Sequence, residues 1–180
     1  MNDKPPILCR VSGIDRPGIT AGLMAVLAES GAELYDVEQV TVRGRLTLGI
    51  LFSDPHGDST VKDLLYYGWE SGLQMDFEVV ETDPTSRATA AVVTVLGHTV
   101  GPAAFGAAAA AIAKAGGNIE RIVRLSRYPV VSYELVVADS DLDELRHNLL
   151  LEASRHDFDV AVQDGSFARR LKRRAKEPSC

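Results

Sequence analysis

The chain repeats itself at a spacing of 84 to 85 residues, and the repeated unit restricts the fold more than any other feature. A short apolar strand, Ile7 to Ser12, leads into a turn opened by Gly13, and an equivalent strand, Ala90 to Leu96, leads into one opened by Gly97. Ile19, Leu23, Val26 and Leu27 recur at helical spacing, which predicts a helix over Thr20 to Ser30 that stops at Gly31. Pro102 to Ala115 is the matching helix, stopped by Gly116-Gly117. Leu34 and Ile119, 85 residues apart, open the next strands. Leu46, Leu48, Ile50 and Phe52 then alternate along one face of a further strand, as do Val131, Tyr133, Leu135 and Val137. Each copy continues through a polar loop to a helix (Thr60 to Ser71; Asp141 to His156) and a closing strand (Leu73 to Glu81; Phe158 to Asp164).

The order is βαββαβ, twice. It predicts an α+β chain of two tandem ferredoxin-like domains, each an antiparallel four-stranded sheet with both helices on one face. The domains are expected at 1–81 and 89–165, with a linker at 82–88 that contains Thr82-Asp83-Pro84-Thr85-Ser86, and a basic tail at 166–180. Phe105, Ala108, Ala109 and Ile112 form a narrow packing stripe in the second copy, and Leu142, Leu145, Leu149 and Ala153 form another. In the first copy, Leu64, Leu65, Tyr66, Tyr67 and Trp69 give the second helix more apolar surface than one sheet face needs. Self-association is expected either through part of this surface or through the strand edges of the sheets.

Composition removes several classes of function. Residues 1–168 carry 13 basic and 24 acidic side chains, a net of −11, which argues against nucleic acid as the partner of the folded part. The strand Arg45 to Phe52 also lacks the aromatic pair with which ferredoxin-like sheets stack RNA bases. No apolar run approaches the roughly 20 residues that span a bilayer, and the opening Met-Asn-Asp-Lys-Pro-Pro lacks the layout of a secretory signal. No membrane partner is expected, and a cytoplasmic location is. Cys9 and Cys180 make no framework of paired cysteines and no metal spacing. Asp54-Pro55-His56-Gly57-Asp58 reads as a turn rather than a chelator, and no cofactor or metal is expected.

The chemistry concentrates in Gly13-Ile14-Asp15-Arg16-Pro17-Gly18, between the first strand and the first helix. A turn that opens a helix points free N–H groups and the positive end of the helix dipole at one spot, which suits a carboxylate. Asp15 beside it suits an ammonium group. Together they match an amino-acid zwitterion; a plain capping turn is the alternative.

Two small βαββαβ units, the first with G-x-D-R-P-G at its turn, resemble a tandem pair of ACT domains over roughly residues 7 to 165. Asp36-Val37-Glu38-Gln39-Val40, the stretch Val42 to Gly49, Tyr128-Pro129-Val130 and the strand Asp157 to Val162 further resemble the N-terminal regulatory region of actinobacterial phosphoserine phosphatases. The resemblance implies a regulatory chain of L-serine biosynthesis that binds a small amino acid, serine first and glycine next, as a homodimer. It places the ligand against Asp15, Pro17, Gly18, Ile19 and Thr20, with Glu33 and Leu34 across from them. Glu33 stands where such domains carry asparagine or another polar group, and serves either to hold an ammonium group or as solvated surface. The second copy lacks the aspartate at Gly97 to Gly101 but has Asn118 in the place of Glu33, so composite sites from two copies or two subunits are expected.

The family's catalytic aspartates sit in a D-x-D-x-T strand after the basic stretch, where this sequence runs Ala175 to Cys180. No enzymatic activity and no catalytic residue are expected. Asp139-Ser140-Asp141-Leu142-Asp143 imitates that strand end but has Asp143 in place of threonine, and the repeat register makes Asp141 a helix N-cap. The alternative reading is a protein–protein interaction module, pairing with a separate or truncated phosphatase, or a truncated phosphoserine phosphatase that lacks its catalytic domain.

Overall fold

The computed structural model describes residues 5–54, 58–80 and 89–165. The chain divides into two compact units, Met1–Asp83 and Pro84–Cys180. The expected linker at 82–88 and basic tail at 166–180 lie outside the described residues.

The first unit runs β1 (Ile7–Ile14), α1 (Ile19–Glu29), β2 (Leu34–Val42), β3 (Arg45–Phe52), α2 (Asp58–Ser71) and β4 (Gln74–Val79). Its strands form an antiparallel sheet in the order β2-β3-β1-β4. Alternation along β3 decides which face is buried: Leu46, Leu48, Ile50 and Phe52 are inside, whereas Arg45 and Thr47 are exposed. Ile19, Leu23 and Leu27 of α1 and Leu64 of α2 close over that face. Both helices therefore lie on one side. On the other side Arg10 pairs with Asp76 at 2.8 Å and with Glu78, all three exposed, so these pairs add little to stability. Cys9 faces the core, and burial pushes its thiol up to about 12, so it stays protonated and inert at neutral pH.

The second unit repeats the order with β5 (Thr89–Gly97), α3 (Pro102–Lys114), β6 (Asn118–Ser126), β7 (Val131–Ala138), α4 (Leu142–His156) and β8 (Asp159–Asp164), and its sheet reads β6-β7-β5-β8. Leu135 and Val137 of β7 meet Ala108 and Ile112 of α3 and Leu145 and Leu149 of α4 in the core. Each unit is a ferredoxin-like α+β domain, as the repeat predicts.

Three local readings need correction. Strand β1 continues through Gly13 to Ile14, so Gly13 opens no turn; it pairs with Leu46. A Cβ there would sit 2.7 Å from Leu73 Cδ2, and glycine is what lets the buried Leu73 side chain cross the strand. The buried stripe of α3 is Ala104, Ala108, Ala111 and Ile112, while Ala109 is half-buried. Spacing of i, i+4, i+7 and i+8 keeps those four over the sheet. The apolar run of α2 divides: Leu64 is buried and Tyr67 half-buried, its hydroxyl donating to the Ile19 carbonyl at 3.3 Å, whereas Leu65, Tyr66 and Trp69 are exposed.

A candidate amino-acid site at the first strand–helix turn

The turn between β1 and α1 is held from two sides. The Asp15 N–H donates to the Gly44 carbonyl at 2.9 Å, and Gly44 sits with Arg43 in the tight β2–β3 hairpin, both at positive φ (75° and 49°). The Thr41 hydroxyl, near the end of β2, donates to Asp15 Oδ2 at 3.2 Å. On the far side the Arg16 guanidinium donates to the Ser71 carbonyl at the end of α2. Ile19 is buried and anchors the first turn of α1 in the core.

Gly18 is the N-cap of α1, and its φ of 92° and ψ of −11° place it in the left-handed region. No side chain caps the helix, and its first turn holds no acidic residue. The first intrahelical bond runs from the Gly22 N–H to the Gly18 carbonyl at 2.9 Å, which leaves the N–H groups of Ile19, Thr20 and Ala21 without a helical acceptor. They open into a cleft of about 380 Å³ lined by Asp15, Gly18, Thr20 and Gln39. The Thr20 hydroxyl donates to Gln39 Oε1 at 2.7 Å. One wall therefore offers backbone donors and a dipole, another the Asp15 carboxylate, and the β2 side an amide whose N–H groups remain to donate.

The structure brings Asp15, Pro17, Gly18, Ile19 and Thr20 together at this cleft. It does not bring Glu33 and Leu34 to it within the unit. Leu34 pairs with Phe52 at one end of the sheet, while Thr41 pairs with Leu46 beside the turn, seven residues and roughly 20 Å along the strand. The Glu33 N–H donates to Ser53 Oγ at 2.8 Å, and its carbonyl accepts from the Ser53 N–H at 2.9 Å. In the second unit Gly101 caps α3 in an extended conformation, φ −80°, and Pro102 removes the first donor. Asn118 pairs with Ala138, at the end of the sheet away from the Gly97–Val131 pair. Gly101 and Asn118 thus stand apart. Gln39, which lines the cleft, and Thr41, which holds Asp15, are the candidate residues that sequence reading passed over.

Two other sequence motifs have structural roles. Asp141 accepts from the N–H groups of Asp143 at 3.0 Å and Glu144 at 2.9 Å, so the imitation of a catalytic strand end is the N-cap of α4. Asp54, buried, accepts from the Thr60 hydroxyl at 2.9 Å at the start of α2; Pro55, His56 and Gly57 lie outside the described residues. Among the described residues no group of three metal-ligating side chains comes together, and no helix is long and apolar enough to cross a membrane.

The ACT domain matches residues 6–78 and, in a second form, residues 89–163. The chain belongs to the ACT-domain family. Phosphoserine phosphatase of Streptomyces coelicolor is 37% identical over 181 residues, covering 96% of this chain and 43% of that protein. Phosphoserine phosphatase SerB2 of Mycobacterium tuberculosis is 38% identical over 180 residues, covering 96% and 44%. This tandem ACT chain spans less than half the length of these curated relatives. Among solved structures, an unknown protein from Galdieria sulphuraria superposes with a TM-score of 0.75 at 17% identity, over 90% of this chain and 99% of that one, which is a likeness of fold.

Proposed function

We propose that the chain is a noncatalytic regulatory module whose first ACT domain binds a small amino acid, serine in preference to glycine, at the β1–α1 turn. The observation that supports it best is the uncapped, Gly18-initiated end of α1 facing Asp15 across an open cleft, a pairing of donors and carboxylate that fits a zwitterion. The likeness to phosphoserine phosphatases favours serine, because removing the phosphate from phosphoserine leaves serine. A side-chain hydroxyl also has a partner available in the Gln39 amide. Isothermal calorimetry against millimolar serine, glycine and a panel of larger amino acids is expected to give heat of binding for serine, a weaker response for glycine and none for bulky side chains. Absence of heat across the panel would leave the interaction-module reading.

A further inference from the structure

The outer groove between the two helices occurs in both units, and its charge inverts from one to the other. In the first unit the groove encloses about 620 Å³ and is lined by Glu29 of α1 and by Asp63 and Glu70 of α2. Advancing each by the repeat of 85 residues gives Lys114, Asn148 and Arg155. Those three line the groove of about 320 Å³ between α3 and α4. The same offset relates the buried residues beneath the grooves, Leu27 to Ile112 and Leu64 to Leu149. The correspondence is therefore structural as well as numerical.

Three carboxylates stand in one groove, where the other has an ammonium, an amide and a guanidinium together with one carboxylate, Glu152, which pairs with Arg155. Among the described residues Glu29, Asp63 and Lys114 make no hydrogen bond or ion pair through their side chains. Arg155 is shared only with Glu152 of its own helix, at 2.9 Å, and stays exposed. Asn148 is 6% exposed, and its Nδ2 has no acceptor. A buried donor left without an acceptor is unfavourable until one is supplied. Each groove also carries an exposed apolar lining residue, Tyr66 in the first and Leu151 in the second.

We infer that copies of this chain associate through these unlike faces, the α1/α2 groove of one copy against the α3/α4 groove of another. Like faces repel: α1/α2 against itself would bring carboxylates to carboxylates. Unlike faces set Glu29, Asp63 and Glu70 opposite Lys114, Asn148 and Arg155, with Tyr66 and Leu151 supplying apolar contact. Charge complementarity of this kind selects partner and register. Every copy carries both faces, so each copy offers both halves of the contact.

Charge inversion tests this. Glu29→Lys with Glu70→Arg gives a chain with two basic grooves, and Lys114→Glu with Arg155→Glu gives one with two acidic grooves; all four positions are exposed, so folding is checked by circular dichroism and thermal melting. In sedimentation equilibrium the unaltered chain is expected to self-associate, and each doubly substituted chain to do so at least about tenfold more weakly. An equimolar mixture of the two is expected to recover association, since each basic groove then meets an acidic one. Self-association of the unaltered chain should also weaken as salt rises from about 50 mM to about 500 mM. A monomeric unaltered chain, undiminished association of either variant, a mixture no more associated than its parts, or indifference to salt would each overturn the inference.

Discussion

Phe52→Ala is expected to destabilise the first unit by about 3–5 kcal/mol, the cost of truncating a fully enclosed aromatic side chain when the surroundings collapse only partly. Phe52 has no exposed surface, and it ends β3 with Ile7 of β1 on one side and Leu34 of β2 on the other. The cavity would open where three strands meet. Thr47→Ala, exposed on the opposite face of the same strand, is expected to change stability by no more than about 0.5 kcal/mol. In thermal melts of the whole chain, the transition of the first unit should fall by more than about 10 °C for Phe52→Ala. A melt unchanged to within a few degrees would mean that the alternation on β3 is not what holds the sheet to its helices.

At the turn the expected effects fall on binding. Gly18→Ala should abolish measurable serine binding in calorimetry and cost about 1 kcal/mol of stability, because φ is 92° and an L side chain is strained there. Apart from its chain neighbours, no atom of the described residues lies within 4 Å of the added Cβ, so the methyl group projects into open space at a residue that lines the cleft. Asp15→Ala should weaken binding at least about tenfold, the loss of a charged partner at an ammonium group, with little change in melting because Asp15 is exposed. Normal binding by both variants would make the turn a helix cap and nothing more.

The fold was legible because two signals agree twice: period-two alternation on β3 and β7, and helical stripes whose buried members recur 85 residues later, such as Leu64 and Leu149. Where one residue bears more than one meaning, the sequence was less informative. Gly13 looks like a turn residue, and only the Leu73 side chain passing over it explains a glycine inside β1. Of the candidate site residues, Asp15, Gly18 and Thr20 follow from the turn and share its cleft, whereas Glu33 and Leu34, which follow from resemblance, lie at the other end of the sheet within the unit. Helix α1 carries the chain from the turn, over its 11 residues, roughly 16 Å to the other end of the sheet. Strand β2 starts there and runs back, so its last residues, not its first, return to the turn. That reasoning, applied to Asp36 to Val42 with alternate residues facing the helices, would have picked out Gln39 and Thr41.

The most direct measurement is a titration of the ¹⁵N-labelled chain with serine, followed by amide NMR. Binding at the α1 N-terminus requires the backbone N–H groups of Ile19, Thr20 and Ala21 to take up the ligand carboxylate, and the Gln39 side-chain amide to sense the new neighbour. Saturable shifts of these resonances, with the core amides of β3 and β7 unmoved, are the predicted result. A spectrum unchanged at saturating serine, or shifts confined to residues away from the β1–α1 turn, would contradict the account.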